Sequence, residues 1–146
     1  MCLRGGLMIS PELDELSCNL IGEALDVLAA GDLLGVAASV LDDQGNRVTC
    51  AFEDDGEEVC LEAAHRWVQD LASGARTEPQ LGTPVCYAIC YSGAVDTGDG
   101  FADALMCEFG DKDPGPDYSA FLLVQGTGEN FAWTDPAPAG ELPSLL

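Results

Sequence analysis

The chain of 146 residues carries 26 acidic side chains against five lysines and arginines, a formal charge of -21, and 47% of it is hydrophobic. That length suffices for one domain that buries most of its apolar surface unaided, and a charge so negative repels nucleic-acid phosphates and anionic lipid headgroups, so neither nucleic acid nor membrane is expected as a partner. The opening MCLRGGLMIS interrupts the apolar run of a secretory leader, and seven cysteines, odd in number and set mostly in apolar patterns, suit reduced core thiols; a cytoplasmic location is expected.

Residues 1–9 are expected to be a flexible N-terminus, 10–129 a single α+β domain and 130–146 an extended proline-rich tail. Ser10-Pro11 opens a helix, since Ser caps free amides and Pro at the first position forgoes no hydrogen bond. Leu13, Leu16, Leu20, Ala24, Val27 and Leu28 follow helical spacing as far as Gly31. LLGVAASVL reads as a buried strand that DDQGN turns back. In RVTCAFE, Val48, Cys50 and Phe52 alternate with polar or small residues, the period of a half-exposed strand. Asp55 and Glu58 have capping-box spacing, so a second helix begins near Gly56, buries Cys60, Ala64, Trp67, Val68 and Leu71, and ends at Gly74. TPVCYAICYS, FADALMCEF and YSAFLLVQ then read as three strands separated by turn-rich segments.

This order, α-β-β-α-β-β-β, predicts an α+β fold: an antiparallel five-stranded sheet with helices on one face. The order, the hairpin GVAASVLDDQGNRV and the helix ending in LEAAHRWV together resemble the roadblock or dynein-light-chain-7 group of profilin-like folds, over about residues 12 to 125. That group usually closes with a third helix, where this chain has its proline-rich tail. The resemblance implies a small non-catalytic module that dimerises and serves as a platform for a GTPase or another regulatory protein.

No catalytic, cofactor-binding or metal-ligating residue is assigned. Cys86 and Cys90, four apart on a strand, stand about 13 Å from each other, too far for one zinc ion or a disulfide, and read as core wall. His65 is turned away from the buried stripe of its helix toward Glu62 and solvent, so no Cys-His pair is expected. Asp96, Asp99, Asp111 and Asp113 form an irregular cation site only if their two loops meet, because none of the acidic loops has the spacing of a helix-loop-helix calcium site. GTGEN lacks the helix and lysine of a phosphate loop. Trp67 reads as core; Trp133 either pins the tail or stands exposed as an anchor.

The leading expectation is therefore a binding or scaffolding module without catalysis, working as a homodimer with an unknown protein partner. A divalent-cation or small-ligand binder and a thiol-dependent enzyme are the rivals. In the roadblock order the strand PVCYAICYS lies at a sheet edge. It has no charge on either face, so unless the strand is interior to its own sheet and needs no partner, Val85, Tyr87, Ala88, Ile89 and Tyr91 are the expected self-pairing surface, with Trp67 and Trp133 as further interface candidates.

Overall fold

The computed structural model describes residues 10–53, 56–112 and 117–146; the expected flexible stretch 1–9, the capping residue Asp55 and Asp113 lie outside them. Helix α1 (Pro11–Ala29) starts as its sequence dictates, with Ser10 extended and its Oγ accepting the Leu13 amide at 3.1 Å. Helix α2 (Glu57–Ser73) opens from Gly56 without a side-chain cap and closes on Gly74, whose φ of 83° is the left-handed turn that favours glycine. No helix among the described residues is long and apolar enough to cross a membrane.

Among the described residues seven strands follow the chain as β1 (Val36–Asp42), β2 (Arg47–Phe52), β3 (Pro84–Asp96), β4 (Phe101–Asp111), β5 (Asp117–Gln125), β6 (Ala132–Trp133) and β7 (Ala137–Leu142). All pair antiparallel, in the order β2-β1-β3-β4-β5. The outer edge of β5 is shared by β6, opposite Val124 and Gln125, and β7, opposite Asp117 to Phe121. The turn DDQGN is built round Asp42, whose carboxylate accepts the amides of Gln44 (2.8 Å), Asn46 (2.7 Å) and, across from the chain entering β3, Gly82 (2.7 Å). Burial alone would raise the Asp42 pKa, but these bonds and the Asn46 side chain hold it at about 2.

Three expectations are overturned. The sheet has seven strands that curl into a half-barrel, not five in a flat roadblock-like layer; the tail beyond Asn130 supplies the two additional ones. The helices do not share a face. Leu13, Leu16, Leu20, Ile21 and Ala24 of α1 pack on Cys86, Ala88 and Cys90 of β3 and on Leu105, Cys107 and Phe109 of β4. Cys60, Ala64, Trp67, Val68 and Leu71 of α2 pack on Val36, Ala38 and Val40 of β1 and on Tyr87 and Ile89 of β3. Successive strand residues point to opposite faces, so the two helices sandwich β1 and β3. Third, β3 is not an edge: from Cys86 to Cys90 it lies between β1 and β4. Its lack of charge on either face comes from burial on both, the condition that gives a strand a continuous apolar run.

Candidate functional site

The backbone of β3 decides where the surface is open. Val85 O accepts the Lys112 amide and the Thr97 amide donates to Gly100 O, each at 2.9 Å, so the odd-numbered residues turn their backbone groups toward β4. Even-numbered residues turn theirs the other way. Cys86, Ala88 and Cys90 there meet Leu41, Ser39 and Ala37 of β1, and the ladder stops at the Ala37–Cys90 pair. Ser92, Ala94 and Asp96 continue β3 beyond it, still paired to β4 on one side. Among the described residues no strand stands opposite their other side.

The reason β1 stops short is local. Gly35 presses against the end of β2 so closely that a Cβ there would lie 2.6 Å from Glu53 Cγ and 2.7 Å from Phe52 O. Only glycine permits that approach, which holds the chain entering β1 against β2, while pairing with β3 ends at Ala37. The separation leaves a groove of about 540 Å³, lined by Leu33 and Leu34, by Phe52 and Glu53 at the end of β2, by Cys60 of α2, and by Tyr91 and Ser92 of β3. Leu33 is 95% exposed and Val59, on the first turn of α2, 52%.

Beneath the groove the Tyr91 ring is held from its hydroxyl end. Its OH donates to Glu108 Oε2 at 3.1 Å, and Glu108 Oε1 lies 2.6 Å from His65 Nε2. His65 therefore does not simply face Glu62 and solvent but bridges α2 to β4. The Glu108 hydrogen bond raises the His65 pKa above its ordinary 6.5 against the opposing effect of burial. A second buried pair lies further along the same face. Tyr87 OH donates to Asp117 Oδ2 at 2.5 Å, and the Leu145 amide donates to the same oxygen at 3.0 Å. Burial pushes the Asp117 carboxyl up and the Tyr87 phenol up well beyond its usual range.

Most of the expected interface residues lie inside the fold. Tyr87, Ala88 and Ile89 are buried, Val85 packs partly buried beside the α1 core, and only Tyr91 reaches the groove. Trp67 is core, edge to face with Phe52 at 6.2 Å between ring centroids. Trp133 stacks on Phe131 at 5.7 Å and is still 56% exposed. The shared aspartate site fails on geometry. Asp96 and Asp99 lie by the turn between β3 and β4, and Asp111 ends β4, whose 11 residues span roughly 35 Å at about 3.3 Å each. No cluster of three His, Cys, Asp or Glu side chains suited to a metal occurs among the described residues.

Cys86 and Cys90 are wall, both fully buried. What spacing did not reveal is that Cys90 faces Cys107 across the ladder, Sγ to Sγ 3.6 Å, at a non-hydrogen-bonded pair where side chains approach most closely. The contact with Cys107 and burial raise the Cys90 pKa, and burial pushes Cys86 up to about 12, the reverse of what a thiolate nucleophile needs. Cys18 departs from the expectation of reduced thiols and is disulfide-bonded. The groove itself escaped sequence reasoning because LLGVAASVL reads as one strand; Gly35 was the available sign that its first two leucines lie outside the ladder.

No protein-family model, no curated protein and no solved structure matches the chain.

Proposed function

We propose that this domain is a non-catalytic binding module that holds a segment of a partner protein in the groove between β2 and β3. The observation that carries the reading is Leu33. A leucine 95% exposed at the mouth of an apolar groove leaves unburied a side chain worth about 1.5–3 kcal/mol when removed from water. A rigid wall supports it, since Tyr91 is fixed through Glu108 and His65, and a preorganised surface loses little freedom on binding. The thiols argue against the enzyme rival, because Cys50, Cys86 and Cys90 all have raised pKa values. The homodimer expected through Val85 to Tyr91 has little open edge there to use, because β1 and β4 cover Cys86 to Cys90 on both sides.

Zero-length carbodiimide coupling tests the reading, since it joins carboxylates to lysines in contact. In extracts of the native cell, wild-type protein is expected to couple through Asp32 or Glu53 to one recurrent linear segment of a partner, and Leu33→Asp to lose at least nine-tenths of that product. Equal coupling by both proteins, or coupling scattered over the acidic surface, contradicts it.

A further inference from the structure

We infer that the segment held beside β3 is an extended, cationic peptide that adds to the sheet as a strand, pairing with the backbone of Ser92, Ala94 and Asp96. This rests on the groove being the binding site and names what fits it.

Three observations converge on the occupant. The alternation of the β3–β4 ladder turns the N–H and C=O groups of Ser92, Ala94 and Asp96 outward, in line with β1 but beyond its end. An incoming strand there continues the path of β1 and places alternate side chains against Tyr91 and Leu33 at the groove. The edge also lacks the usual guards: SGAVD has no lysine, no proline and no bulge in its pairing with β4. Its charges are of one sign. Asp96 ends the edge, Asp103 lies opposite Ala94 on β4, Glu53 lines the groove, and Asp32 precedes Leu33. An acidic or neutral strand gains nothing from them, whereas lysines or arginines alternating with apolar residues meet carboxylates on the rim and leucine and tyrosine in the groove. The same charges disfavour a second copy of this chain, which carries 26 acidic residues against five basic ones.

Selection from a displayed library of random dodecapeptides tests the inference. Against the wild-type chain, enriched peptides are expected to carry net positive charge and alternate apolar with basic residues. Ala94→Pro is the discriminating variant. The Ala94 N–H points to the open side, so proline there leaves the β4 ladder intact, and selected peptides are expected to bind it at least tenfold more weakly. The same loss is expected for wild-type protein when alternate backbone amides of the peptide are methylated, which keeps the test valid should Ala94→Pro fold poorly. Peptides that lose affinity for Leu33→Asp but bind undiminished after amide methylation and to Ala94→Pro overturn strand addition and leave the groove reading standing. Peptides indifferent to every change, acidic consensus sequences, or no enrichment at all overturn both.

Discussion

Glu108 is nearly buried and has two partners, and the side chains that satisfy it come from two other elements: His65 from α2 and Tyr91 from β3. Neither contact follows from spacing along the chain. His65 lies well off the centre of its helix's apolar stripe, which points to solvent when α2 is considered alone; only the placing of α2 across β1 and β3 brings β4 within its reach. The His65 pKa is raised in the folded state, so the pair's contribution to stability is fully present below about 6.5 and is lost as pH rises through the raised folded value. A proton NMR titration of the imidazole is expected to give a midpoint above 6.5, and Glu108→Gln to lower it, because burial is then opposed only by the weaker effect of Glu62. A midpoint unmoved by the substitution contradicts the bridge, and with it the account of what fixes Tyr91.

Where an element exposes only one face, its sequence describes it well. Strand β2 alternates half-buried Val48, Cys50 and Phe52 with exposed Thr49 and Ala51, and α1 shows both its cap and its apolar stripe. Two-sided burial is harder to read. In the sandwiched parts of β1 and β3 both residue sets are largely apolar because α1 covers one and α2 the other, and such a run looks the same whether it is sandwiched or awaiting a partner. Strands β6 and β7 carry almost no signal. APAGEL, with its proline and glycine, has turn composition, and it is ordered into a strand by pairing with β5. The distinction between inner and outer strands has a direct test in two proline variants. Ala88→Pro removes an amide that points at Ser39 and leaves buried groups unbonded, at roughly 1–3 kcal/mol for each, so chemical denaturation is expected to show a large loss or no folded state. The Ala51 amide points to the open side of β2 and its side chain is exposed, and Ala51→Pro is expected to cost under about 1 kcal/mol. Equal costs contradict the strand order.

The molecule combines a strongly negative surface with a groove, among the described residues, where apolar side chains and unpaired backbone stand together. Charge of one sign opposes self-association and favours cationic partners over acidic ones, which offsets the absence of the lysine or proline that usually blunts an edge. Composition showed the charge, but the opening depends on β1 ending at the Ala37–Cys90 pair while β3 runs on to Asp96, and register between strands is a property of the fold. Amide hydrogen exchange of the free protein, resolved residue by residue, tests this most directly. The account predicts an alternation along the second half of β3: Gly93 and Val95, bonded to β4, exchange slowly, and Ser92, Ala94 and Asp96 at least tenfold faster. Uniform protection from Ser92 to Asp96 would contradict it, because the edge would then already be covered and the groove would have no strand to receive.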